Sequence, residues 1–179
     1  MKKIFWGTMI FLTLTISAYA APTTIMEDNK RDWALSYFNH HINIYGNSVF
    51  KLGDKWVMSF DITNKAGTSK GVKNFKSNSI QYSLTDNYAL AFGYNNGKIC
   101  NEQTSNFHEL YGGVVYSQKV GDENTVYASY LKGDKFTDWR AGSTFTLNDS
   151  SYIDVSYRQL IFKNNISIKG LSSGLCFKF

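Results

Sequence analysis

Pro22 is the only proline in the 179-residue chain, so from residue 23 onward every residue keeps the backbone N–H that a β-ladder needs. Along that uninterrupted stretch large apolar residues recur at every second position. Trp56, Met58, Phe60 and Ile62 alternate with Val57, Ser59, Asp61 and Thr63, and Tyr88, Leu90, Phe92 and Tyr94 with Ala89, Ala91 and Gly93. A period of two marks strands that are apolar on one side and small or polar on the other.

The connections repeat as well. Leu52-Gly53-Asp54-Lys55-Trp56, Leu84-Thr85-Asp86-Asn87-Tyr88 and Leu147-Asn148-Asp149-Ser150-Ser151 each place an Asp in the middle of a three-residue turn, and Val120 to Asn124 is a longer version. On both sides of each three-residue turn the apolar positions share one parity, so turn length and register agree. Reading outward from the turns predicts strands near 32–38, 43–52, 56–64, 77–84, 88–95, 109–120, 125–132, 137–147, 151–160 and 167–179. Longer connections are expected at about 65–76 and 96–108. The result is an all-β, antiparallel up-and-down meander of ten strands; eight is the alternative, with 32–45 irregular or one hairpin lost.

Met1-Lys2-Lys3, the apolar run Ile4–Ile16 and Ala18-Tyr19-Ala20 are laid out like a secretory signal peptide over 1–20. An N-terminal segment 21–31 and one barrel domain over 32–179 would follow. The formal net charge is +5, two units of it in Lys2 and Lys3, and Arg31, Arg140 and Arg158 are not clustered, so a nucleic-acid partner is not expected. No later segment reaches the roughly 18 apolar residues of a membrane-spanning helix.

A soluble barrel and a membrane barrel produce the same alternation, with the apolar face turned inward in one and outward in the other. Four features favour lipid. The polar face carries small or charged residues such as Ser59, Asp61, Gln81, Arg140, Thr144 and Asp154, and lysines concentrate in connections. Aromatics gather near strand ends, with Trp56 and Tyr88 at one end and Tyr94, Tyr130, Trp139 and Tyr157 at the other. Strand lengths of about 8 to 12 residues suit a tilted crossing. Leu171, Ser173, Leu175 and Phe177 alternate up to Phe179.

This last strand, Leu175-Cys176-Phe177-Lys178-Phe179, together with the leader and the short-turned meander, resembles the small bacterial outer-membrane β-barrels of the OmpX, OmpA-barrel and opacity-protein kind. The resemblance implies a Gram-negative outer-membrane location, lipid and lipopolysaccharide neighbours, and an assembly signal at Leu175, Phe177 and Phe179 for the barrel-assembly machinery. It also implies that the Asp-centred turns face the periplasm and the longer connections the outside.

The inward parity collects Asp61, Arg140, Asp154, Arg158 and Lys178, as an interior polar network or a pore lining. Pairing across the 147–151 turn sets Arg140 opposite Arg158, which calls for an acid such as Asp61, Asp138 or Glu109. Segment 65–76 holds Lys65, Lys70, Lys73 and Lys76 without an acid, a charge pattern suited to lipopolysaccharide phosphates. Ser105, His108 and Glu109 are the candidates for a rim enzyme, although neighbours on a strand face opposite ways. The adjacent pair His40 and His41 is not a ligand set, and no metal or cofactor is expected. Cys100 and Cys176 fall at opposite ends, as free thiols. The leading expectation is a non-enzymatic barrel with an envelope-integrity or surface-interaction role through its outer connections; the alternatives are a narrow pore, a lipid-modifying rim enzyme and a soluble ligand-binding barrel.

Overall fold

Alternating segments with a common parity across tight turns zip into neighbouring antiparallel ladders. The computed structural model describes residues 30–38, 41–65, 71–100, 104–121, 124–163 and 166–178. The strands are β1 (Lys30–Phe38), β2 (His41–Lys51), β3 (Trp56–Lys65), β4 (Gly71–Ser83), β5 (Tyr88–Cys100), β6 (Thr104–Val120), β7 (Asn124–Gly133), β8 (Phe136–Asn148), β9 (Ser151–Phe162) and β10 (Ser167–Lys178). Each pairs with the next, and β1 pairs with β10 from Lys30↔Lys178 to Phe38↔Gly170, closing a ten-stranded antiparallel barrel. The described residues thus form ten strands. The predicted signal peptide, residues 21–29 and Phe179 lie outside the described residues.

Two of the tight turns hold the register expected of them. The Leu52 amide donates to the Trp56 carbonyl at 2.9 Å and the Leu84 amide to the Tyr88 carbonyl at 2.8 Å. In the second turn Thr85 Oγ1 accepts from the Asn87 and Tyr88 amides, at 3.2 and 3.1 Å. The third departs from expectation. A bulge between Thr146 and Asn148 leaves Asn148, rather than Leu147, opposite Ser151, and Asn148 Oδ1 accepts from the Ser150 amide at 3.0 Å. The short polar side chain tightens the turn by one residue, while the body of the ladder keeps Arg140 opposite Arg158.

The expected long connections 65–76 and 96–108 are mostly strand. β4 begins at Gly71, β5 runs to Cys100 and β6 starts at Thr104, so the sheet itself extends at this end and the connections are short. Asn74, with φ of 51° in the left-handed region, marks a β-bulge where the register with β5 shifts between Lys73↔Lys98 and Lys76↔Asn96. An extra residue interrupts the period of two, which removes the signal on which a sequence reading depends.

The barrel is inside-out relative to a soluble one. Ile62, Ile80, Phe92, Leu110, Val114 and Leu171 are exposed on its outer wall, whereas Ser59, Gln81, Asn95, Asp138, Arg140 and Asp154 are buried in the lumen. Aromatics lie at both margins of the outer wall. Trp56 lies against Tyr82 and Tyr88 against Tyr116 at the tight-turn end, with ring centroids 4.7 and 5.0 Å apart; Trp139 lies 5.3 Å from Tyr157 toward the other. The Trp139 indole N–H also donates to Gln159 Oε1 at 3.0 Å. Among the described residues no helix is long and apolar enough to cross a membrane, which says nothing of strands.

Candidate functional site

The strands turn every second side chain inward, so charges from several elements converge in the lumen. Asp61 on β3, Arg140 on β8 and Arg158 on β9 line one cavity together with Ser59, Ser77, Gln81, Asn95 and Asp138. Asp154, on β9, is fully buried. The two arginines, directly opposed across β8 and β9, carry like charges into a low-dielectric interior and require acids. Asp138 supplies one. Its Oδ1 accepts from Arg158 Nε at 2.8 Å, and its Oδ2 forms a second, close ion-paired contact with Arg158 Nη2, a bidentate fork. Asp154 accepts from the Tyr127 hydroxyl at 2.7 and 3.0 Å. Asp138, one of the three acids considered beside the arginines, is bonded to Arg158.

Glu109 does something else. Its Oε2 accepts from the Lys135 amide at 2.7 Å, fixing the β7–β8 turn from inside the mouth. Two hydroxyl pairs, Ser59 with Ser79 at 2.6 Å and Ser77 with Tyr111 at 2.7 Å, lie on the wall opposite the arginines. Tyr111 reaches Ser77 by crossing over β5 at Gly93, where a Cβ would stand 2.3 Å from the tyrosine ring. Tyr127 crosses β8 in the same way at Gly142, where a Cβ would stand 2.6 Å from its hydroxyl. Glycine at these two positions lets an aromatic reach the strand after next.

Toward the end opposite the tight turns the interior becomes apolar. Phe75, Ile99, Phe107, Tyr111, Phe136, Leu160 and Phe162 form one buried cluster, with Leu131 and Ile166 packed against it. Its contacts skip strands: Phe107 on β6 meets Phe162 on β9 at 5.4 Å, and Tyr111 on β6 meets Phe136 on β8 at 5.7 Å. Such contacts fill the lumen. The cavity beside the arginines is about 40 Å³, room for a few waters at roughly 10–15 Å³ each.

The remaining expected residues distribute as follows. Lys178 is the register partner of Lys30 at the end of β10, and its side chain lies outside the described set. Lys65 is in β3, Lys73 and Lys76 are in β4, and Lys70 lies outside the described residues; the side chain of Lys76 is exposed. Leu175 is half-buried and Phe177 exposed on β10, opposite Ile153 and Ser151. His108 faces outward, with its Nδ1 3.0 Å from the Tyr94 hydroxyl, while Glu109 faces the lumen, so Ser105, His108 and Glu109 do not converge. His40 is outside the described residues and His41 opens β2. Cys100 and Cys176 are buried and not joined in a disulfide. Cys100 pairs with Thr104 at one end of the barrel and Cys176 with Asp32 and Tyr152 near the other.

Sequence reasoning missed the aromatic cluster, because Phe75, Ile99 and Phe107 lie in segments read as loops. It also missed Tyr127 and Tyr111, although both sit at the inward parity of their strands. The facing glycines, Gly93 and Gly142, were the available signal.

No family model matches the chain, and no curated protein matches it. Among solved structures it is similar to one described as the CymD monoaromatic hydrocarbon channel, with 11% sequence identity and a TM-score of 0.40. That match covers 77% of this chain and 51% of the other, so the chain spans about half the length of that structure.

Proposed function

We infer that the chain is a small outer-membrane β-barrel with a closed lumen, which catalyses no reaction and serves envelope integrity or surface interaction through the end opposite its tight turns. The observation that carries this reading is the inverted distribution of polarity. An outer wall of exposed Ile62, Ile80, Phe92 and Leu110, edged by aromatics, is costly in water and favourable in lipid. The interior supports a structural rather than a conducting role, since the Asp138–Arg158 pair and the Phe107–Phe162 contact fill the space that a permeant ion would use.

In this reading the termini and the Asp-centred turns face the periplasm, after export on the signal peptide. Leu175, Phe177 and Phe179 supply the strand recognised by the barrel-assembly machinery, and Lys65, Lys70, Lys73 and Lys76 face lipopolysaccharide at the outer surface. The polar middle of the lumen, with Asp61 and Arg140 around a small cavity, favours one second reading: a narrow pore that conducts when the aromatic cluster moves.

Membrane residence is tested by fractionating cells that express the full chain. The expected result is recovery in the outer-membrane fraction, release by detergent only, and a gel mobility that changes on boiling. Recovery in the aqueous fraction without detergent points instead to a soluble ligand-binding barrel.

A further inference from the structure

On the outer wall of β4, β5 and β6 the apolar surface gives way to a basic one within a single residue step. Phe92, Tyr94 and Leu110 are exposed, Leu110 to 76%. The next row toward the mouth is aligned by register, Lys76 opposite Asn96 and Asn96 opposite His108, and beyond it Lys98 stands opposite Asn106. Lys76, Lys98 and His108 are exposed and Asn96 is half-buried. Directly opposed residues hold their Cβ atoms about 5 Å apart and diagonal ones about 7–8 Å, so the two lysines and the imidazole fit around one headgroup.

Among the described residues the sheet offers these cations no acid on this face. β4 and β5 contain neither Asp nor Glu, and the only one in β6, Glu109, is buried in the lumen and bonded to the Lys135 amide. The imidazole is also held in place. Its ring lies nearly parallel to that of Tyr94, 13° off with centroids 6.3 Å apart, and its Nδ1 is 3.0 Å from the tyrosine hydroxyl. A neutral ring that accepts there carries its proton on Nε2, a donor available to a ligand.

We propose that Lys76, Asn96, Lys98 and His108 form a lateral binding site for the phosphate of an anionic lipid in the leaflet around the mouth of the barrel. The acyl chains of that lipid lie on Phe92 and Leu110. This rests on the membrane reading above and adds the position and chemistry of a site on the wall. The continuity of the basic row with the apolar wall selects a lipid over a free anion, because only a lipid gains from both. A lysine near a lipid phosphate contributes enough to change affinity about fivefold.

The test is a titration of the full mature chain, refolded in zwitterionic detergent, with lipid A, reading lipid retained per protein. The boiling-dependent gel shift in lipid-free detergent is checked first. The expected result is saturable retention, weakened about 25-fold in Lys76→Gln/Lys98→Gln, weakened less in His108→Gln, and unchanged in Lys169→Gln, an exposed lysine on β10. Lys76→Arg/Lys98→Arg keeps the charge and should retain binding, which separates loss of the site from loss of the fold. Equal retention by wild type and the double Gln variant overturns the site. Displacement of the lipid by millimolar inorganic phosphate overturns the choice of a lipid ligand. A wild-type chain that shows no gel shift and stays soluble without detergent overturns the membrane reading, and the site with it.

Discussion

The guanidinium carbon of Arg158 lies 5.9 Å from the centre of the Phe75 ring, although β9 and β4 stand on opposite sides of the ten-stranded ring. A contact between diametrically opposed strands narrows the lumen at that height. The same guanidinium is forked onto Asp138, so the polar network and the aromatic cluster form one closure. A cation over an aromatic face in a desolvated setting contributes about 1–2 kcal/mol.

Arg158→Met should be strongly destabilising. It leaves the buried Asp138 carboxylate without its partner, at a cost of about 3–5 kcal/mol. The double variant Asp138→Leu/Arg158→Met removes both charges and should recover most of that loss. Urea unfolding in detergent, followed by tryptophan fluorescence, checks the order wild type, double variant, single variant.

Gly93→Ala should cost about 1–3 kcal/mol, because the added methyl meets the Tyr111 ring 2.3 Å away, forcing it off Ser77, and the Asn78 carbonyl 2.4 Å away. Gly53, where nothing lies within 4 Å, is the control, and its alanine variant should change stability by less than about 0.5 kcal/mol. Equal unfolding midpoints for the two variants would show that Tyr111 does not bridge β4 and β6 as described.

Glu109→Ala should expose the Lys135 amide to exchange. The carboxylate is that amide's acceptor at 2.7 Å, and losing it costs about 1 kcal/mol locally. Glu109→Gln keeps an acceptor oxygen and should keep the protection. Amide hydrogen exchange at Lys135 distinguishes this turn-fixing role from a catalytic one.

Truncating the closure should open the lumen. Phe107→Ala/Phe162→Ala removes two rings whose centroids are 5.4 Å apart, and the variant should pass ions in discrete steps across a planar bilayer. Each deletion also carries a cavity cost of about 3–5 kcal/mol, so folding is confirmed by the boiling-dependent gel shift before conductance is read.

Much of this architecture could be read from residue order. Parity across the turns at Asp54 and Asp86 fixes two hairpins, and the 147–151 turn sets Arg140 opposite Arg158 even though its own closure differs by one residue. What escaped is local and physical. The bulge at Asn74 breaks the period of two, and beyond the apolar wall the outward positions Asn96, Lys98 and Asn106 are polar, so the extensions of β4, β5 and β6 look like loops. The inward phenylalanines of those extensions were therefore not assigned to the interior. Which acid meets Arg158 depends on the diagonal reach between β8 and β9, a tertiary quantity that alternation does not encode.

The central claim is that the lumen is closed, and the most direct measurement is planar-bilayer conductance of the wild-type mature chain, from a preparation that shows the gel shift on boiling. The account predicts a silent bilayer for the wild type, under conditions in which the Phe107→Ala/Phe162→Ala variant conducts. Discrete, reproducible steps from the wild type would contradict it and make Asp61, Arg140 and Arg158 the lining of a working pore.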